Sequence, residues 1–122
     1  MTESSSWSLS VWGGLIGTPL LISSGQVLFK LVSARMSAVD ASALRSVVID
    51  PYFIGAIIVY AIATFSWIIV LRSVPLAAAY SFTALGFLFV PILSSVIFDE
   101  VLTLRYFLGT VLIMAGLTVI HT

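Results

Sequence analysis

Residues 66–82, SWIIVLRSVPLAAAYSF, decide the kind of fold this chain can adopt. An apolar run reaches Leu71, turns through Arg72, Ser73, Val74 and Pro75, and resumes at once as a second apolar run. Proline interrupts a helix interior but is tolerated in the first turn of the next helix, where its missing N–H is not needed. The four residues therefore read as a tight connection between two apolar helices. Outward from this turn the runs extend over residues 52–71 and 76–98, and each is close to the roughly 20 residues that cross a bilayer. Two more runs of that kind cover residues 9–32 and 102–120. FDEVLT separates the last two, and Thr103 has the side chain of a helix N-cap. The expected fold is an all-α integral membrane protein, a bundle of four transmembrane helices forming one transmembrane domain over residues 1–122. The short second and third connections predict antiparallel neighbours.

Composition agrees. Of 122 residues, 61% are hydrophobic and 8% charged, and mean hydropathy is +1.23. Soluble domains carry about 25% charged residues, so this chain has too little polar surface to face water on all sides. Formal net charge is zero, which leaves no basic surface for nucleic acid. With no cysteine, disulfides and thiolate chemistry are excluded. The one histidine, His121, is penultimate and reads as a solvated bystander, and no metal site or cofactor is predicted. The leader MTESSSWSLS lacks Lys and Arg, and the run after it is too long for a signal h-region, so the first run is taken as a permanent span. No nucleophile–base pair or phosphate-binding loop occurs, so an enzyme is not expected.

The first connection, SARMSAVDASALRSVVID, is longer than the others. Met36, Val39, Leu44 and Val47 recur at near-helical spacing opposite Arg35, Asp40, Ser42 and Arg45. It reads either as a short surface helix or extension of a span, or as a plain polar loop. Lys30, Arg35, Arg45 and Arg105 lie at one end of the spans and Arg72 at the other, which by the positive-inside rule places both termini outside the cytoplasm.

On helical geometry, Pro19, Ser23, Gln26 and Lys30 share one face of the first span. Phe53, Ala56, Tyr60, Thr64 and Trp67 share one on the second. Ala77, Tyr80, Ala84, Phe87 and Pro91 align on the third, with Thr83 beside them. Convergence of the three would give a pocket with a cationic end, an amide, a phenol and aromatic walls. The plainer alternatives are aromatic packing against neighbours, Lys30 snorkelling to the surface, and Gln26 as interhelical glue. Gln26 lies one turn deeper than Lys30 and its amide needs partners in hydrocarbon, so a polar cavity is favoured. Gly109, Ile113, Gly116 and Ile120 share a face that suits close helix association, within the bundle or between subunits. Asp99 and Glu100 read as boundary acids near a helix start, with Arg105 as counter-charge; the sharper alternative makes Glu100 part of a gate or proton path.

Residues 66–87 and 98–120, with their "VP…AAAY" and "E…L…G…LI.AG…VI" patterns, resemble the small four-helix branch of the drug/metabolite transporter superfamily. SGQVLFK, residues 24–30, further resembles the first-helix "GQ…K" of the two-subunit aminoarabinose-phosphoundecaprenol flippases. The resemblance covers most of residues 15–120. It implies that Gln26 and Lys30 meet a phospho-sugar head group, that Tyr80 lines the cavity, and that Gly109 and Gly116 mark a dimer-forming helix; Tyr60 and Trp67 join the candidate substrate-binding residues from the aromatic stripe of the second span. It also implies a homodimer, or a heterodimer with a paralogous four-helix subunit, in the bacterial inner membrane, with membrane lipid and an anionic lipid-linked sugar as partners. One departure matters. Small multidrug exporters carry a glutamate within the first helix, whereas this sequence has no acid between Glu3 and Asp40. A lysine there repels a lipophilic cation and attracts a phosphate. Three functions follow for testing: a flippase of polyprenyl-phosphate-linked sugar or a similar anionic lipid, a small-molecule or multidrug exporter, and a non-transporting accessory subunit.

Overall fold

The computed structural model describes residues 7–122. Residues 1–6, which hold Glu3 and most of the leader, lie outside the described residues. The chain forms α1 (Leu9–Ala34), α2 (Ala41–Ile49), α3 (Pro51–Leu71), α4 (Leu76–Ser81), a 3₁₀ turn (Phe82–Leu85), α5 (Gly86–Phe98) and α6 (Leu104–Ile120). It is a multi-pass membrane protein. Helices α1, α3 and the stretch Leu76–Phe98 have mean hydropathies of 1.5, 2.4 and 2.0 and are long enough to span. The 17-residue α6 rises about 25 Å at 1.5 Å per residue and is the shortest of the four.

Side chains cap the helix starts, at Thr103 as expected and at three further positions. Ser8, Asp40, Asp50 and Thr103 each accept from a backbone N–H of the first turn, satisfying donors that no earlier carbonyl can reach. Pro51 follows Asp50 in the first turn of α3. Asp50 also takes Arg35 Nη1 at 2.9 Å, while the Arg35 guanidinium lies 4.3 Å over the Tyr52 ring. These contacts tie the end of α1 to the start of α3 and leave α2 as a short surface helix with no buried residue. The first connection is thus helical rather than a plain loop.

Helix α1 is the centre of the bundle, with α3 along one side and α5 along another. The α3 and α5 helices run in opposite directions but meet chiefly through α1, and α3 touches α4 only near the hairpin. In hydrocarbon no hydrophobic force drives helices together, so close packing and hydrogen bonds must. Helices α1 and α3 supply both. A Cβ at Gly14 would collide with Val70, Thr18 Oγ1 bonds Ser66 Oγ at 2.8 Å, and a Cβ at Gly25 would fall 2.5 Å from Tyr60 Cε2. Glycine is required at 14 and 25 because the partner side chain occupies the space.

Three details depart from the sequence reading. Pro75 is the residue before α4, with its carbonyl accepting from Ala79 N at 2.9 Å, rather than a member of the first turn. The third span is not one regular helix but tightens to 3₁₀ at Phe82–Leu85, which brings Phe82 into the core with Trp7, Leu15 and Val70. Pro91 lies inside α5 and leaves the Phe87 carbonyl without its usual partner. The Tyr106 hydroxyl of α6 donates to that oxygen at 3.1 Å.

Candidate functional site

Two cavities flank α1, one on its α3 side and one on its α5 side. The first, of about 300 Å³, lies between α1, α3 and the Tyr80–Thr83 stretch, with Tyr60, Trp67 and Tyr80 in its wall. Its threonines are chemically muted. Thr64 and Thr83 give their hydroxyl protons to the Tyr60 and Tyr80 carbonyls at 2.8 and 2.7 Å, and Thr18 pairs with Ser66. What remains exposed to the cavity is methyl and aromatic surface.

The second, of about 210 Å³, lies between α1 and α5 and is lined by Gln26, Val27, Lys30, Val90, Ser94, Phe98 and Glu100. Its wall mixes apolar surface with two polar residues and two charged ones of opposite sign, and we term it the polar cavity to distinguish it from the first. Gln26 Nε2 donates to Tyr60 Oη at 2.6 Å, so one hydrogen bond stands where the two cavities meet. The Tyr60 ring is held for this bond from both sides: it stacks on Phe29 with centroids 5.3 Å apart, and it occupies the space left by Gly25. Gln26 and Lys30 are exposed within the single subunit.

The structure therefore distributes the sequence-predicted residues over two sites instead of one pocket. Gln26 and Lys30 belong to the polar cavity, Tyr60, Trp67 and Tyr80 to the aromatic one, and Gln26–Tyr60 joins them. Glu100 reaches the polar cavity because Asp99 takes a left-handed conformation, φ 55°, one that aspartate tolerates better than most residues. The Asp99 and Glu100 amides both turn back on the Ser94 carbonyl. Among the described residues the only ion pair is Arg35–Asp50, so Arg105 does not serve Glu100 as a counter-charge. Gly109 and Gly116 lie on the open surface of α6, where an added Cβ meets nothing within 4 Å. Their face is unused inside the subunit.

Sequence reasoning missed an aromatic cluster at the far end of the bundle. Trp7 lies against Trp12 at 5.2 Å and Phe82 at 6.4 Å, and His121 packs on Phe82 at 4.6 Å. His121 is thus no solvated bystander. Ser81 Oγ donates to the Ala78 carbonyl at 2.7 Å, which assigns the shared proton of the 2.7 Å Ser81–His121 contact to Nε2. Nδ1 is then a bare acceptor, buried and without a partner. Burial holds the imidazole below its ordinary pKa of 6.5, because a second proton would place charge among aromatic rings. Folding favours the neutral ring, so its contribution is complete above pH 6.5 and is lost as pH falls through the lower folded-state value. Tryptophan emission is expected to change on acidification below pH 6.5, and His121→Gln is expected to remove that transition.

The sequence is similar to curated membrane proteins over much of its length. The chain is 35% identical over 65 residues to the probable 4-amino-4-deoxy-L-arabinose-phosphoundecaprenol flippase subunit ArnE of Erwinia tasmaniensis, covering 53% of this chain and 60% of that protein. It is 28% identical over 106 residues to the protein of the same name from Pseudomonas paraeruginosa, covering 87% and 92%. The likeness to such subunits read from SGQVLFK is therefore matched by similarity over most of the chain. No family model matches the chain, and no solved structure matches it.

Proposed function

We propose that this chain is a subunit of a membrane flippase that carries a polyprenyl-phosphate-linked sugar, or a similar anionic lipid, across the bacterial inner membrane. The observation that carries this reading is the placement of Lys30 and Gln26 on a polar cavity that adjoins an aromatic one through the Gln26–Tyr60 hydrogen bond. The ammonium group supplies charge for a phosphate, the amide supplies donors and an acceptor for hydroxyls, and aromatic walls suit the apolar face of a sugar ring. The lipid tail stays outside, against the exposed apolar surfaces of the helices. The relatives named above are themselves called flippase subunits, which supports both the activity and the assembly with a second subunit. The open Gly109–Gly116 face of α6 offers a place for that partner, a second copy or a paralogue. In this arrangement both termini lie outside the cytoplasm and Lys30 near its inner face.

The test is translocation of a labelled polyprenyl-phospho-sugar in vesicles reconstituted with the chain, alone and with any co-purifying paralogue. Movement above protein-free vesicles supports the reading, and its absence in both preparations removes it. A small-molecule exporter is the second reading, favoured by the apolar character of the 300 Å³ cavity. Protection of growing cells against toxic compounds, lost on Tyr80→Ala, would select it.

A further inference from the structure

Helix α2 joins the ends of two spans. Residues 35–40 separate it from α1, and Asp50 alone separates it from α3. It therefore lies at the level where both spans leave the hydrocarbon, yet it buries no residue in the subunit. Leu44 and Val48 stand one turn apart on one face, 52% and 61% exposed, and Ile49, next to them in the chain, is 70% exposed. Arg45 flanks that face. Ser42 and Ser46 occupy the opposite one and line a hollow of about 190 Å³ together with Arg35 and Asp40. The acids at this end are engaged elsewhere: Asp40 accepts from Ala43 N, and Asp50 caps Tyr52 N while pairing with Arg35. Among the described residues Arg45 has no ion pair. A nine-residue helix is too short to hold itself in water, and one that turns large aliphatic side chains outward gains from an apolar phase beside it. The bilayer is that phase, because α1 and α3 hold α2 at its boundary.

We infer that α2 is a membrane-docking helix: Leu44 and Val48 sink into the head-group boundary of the adjacent leaflet, and Arg45 meets the phosphate of an anionic phospholipid at its rim. Aliphatic side chains on one face with a basic residue at its edge are what a helix lying in the interface plane requires, and an anionic surface attracts the charge. Ser42 and Ser46 then face water across the polar hollow. The Arg35–Asp50 pair and the Tyr52 ring already tie the end of α1 to the start of α3. Docking of α2 fixes the height at which that end stands in the membrane, and with it the Lys30 end of the polar cavity. The inference is independent of the flippase reading, since it concerns where the chain sits and not what it carries.

The chain has no cysteine, so Ser42→Cys, Leu44→Cys, Ser46→Cys and Val48→Cys each admit a single bimane label. The full chain is reconstituted in vesicles of phosphatidylcholine and phosphatidylglycerol in equal parts. Quenching by brominated lipid chains is then compared with quenching by aqueous iodide. Labels at 44 and 48 are expected to be quenched by bromolipid and protected from iodide, and labels at 42 and 46 to show the reverse. Iodide quenching at all four positions overturns the inference, because α2 then stands in water. Protection of 44 and 48 from both quenchers also overturns it, because a protein then covers the face. With the label at 48, bromine is next placed on one lipid or the other. Brominated phosphatidylglycerol is expected to be about fivefold enriched at the label over brominated phosphatidylcholine, the scale of one basic residue at an anionic surface. Arg45→Gln is expected to bring that enrichment close to one while the pattern of protection persists. An enrichment unchanged in Arg45→Gln overturns the role given to Arg45 and leaves the docking of Leu44 and Val48 standing. None of these readouts depends on transport, so failure here and failure of the flippase reading are separable.

Discussion

Replacing Lys30 by glutamine is expected to lower head-group translocation roughly ten- to hundredfold with no change in the fold. The side chain is exposed and contributes nothing to the core, so its removal leaves packing intact. What is lost is a charge-assisted contact to a phosphate, worth about 1.5–3 kcal/mol, and each 1.4 kcal/mol is about tenfold. Lys30→Arg keeps the charge and should retain most of the activity, with a shift in selectivity because a guanidinium meets a phosphate in a different geometry. The measurement is initial translocation rate in reconstituted vesicles, paired with the thermal unfolding midpoint in detergent. An unaltered rate in Lys30→Gln would mean that the amine lies among lipid head groups and takes no part in binding.

Gly25→Ala should be the most damaging of the small substitutions. The new methyl would fall 2.5 and 2.9 Å from Tyr60 Cε2 and Cδ2, distances that force the ring to move. Tyr60 then leaves its stack on Phe29 and its bond to Gln26. Overpacking of this kind costs about 1–3 kcal/mol, against which alanine recovers up to about 1 kcal/mol of helix propensity. Gly13 is the internal control, because a Cβ there meets nothing within 4 Å. Gly13→Ala is expected to be neutral or mildly stabilising, whereas Gly25→Ala is expected to lower the unfolding midpoint and abolish transport. If the two variants behave alike, the α1–α3 contact is looser than the geometry requires.

Much of the fold is legible without coordinates because its signals are local. Hydropathy marks the spans, Thr103 marks a helix start, and RSVP marks a hairpin. The spacing of Met36, Val39, Leu44 and Val47 foreshadows α2 as one of two readings. The site is less legible because it depends on which helices meet. Periodicity correctly groups Gln26 with Lys30 on one face, but nothing in it says that Tyr60, 34 residues away, will claim the amide and divide one imagined pocket into two. Nor does hydropathy announce the 3₁₀ turn at Phe82–Leu85, which shifts the facing of the third span partway along. Neighbours in sequence say only that Glu100 is a boundary acid, whereas its position follows the left-handed backbone at Asp99. A place near the chain end suggests a solvated His121, yet the ring packs because Phe82 and Trp7 converge on it from distant parts of the sequence.

The bond between Gln26 and Tyr60 bears on a duty that any carrier must meet at rest, which is to keep the membrane from short-circuiting. The amide gives one N–H to the phenol oxygen, and Thr64 and Thr83 give their hydroxyl protons to backbone carbonyls. A chamber walled chiefly by aromatic rings and methyl groups offers few anchors to a file of water molecules, and hydrophobic passages of this kind tend to dry. In the carrier proposed above, a dry aromatic chamber would give protons no wire to follow across the membrane.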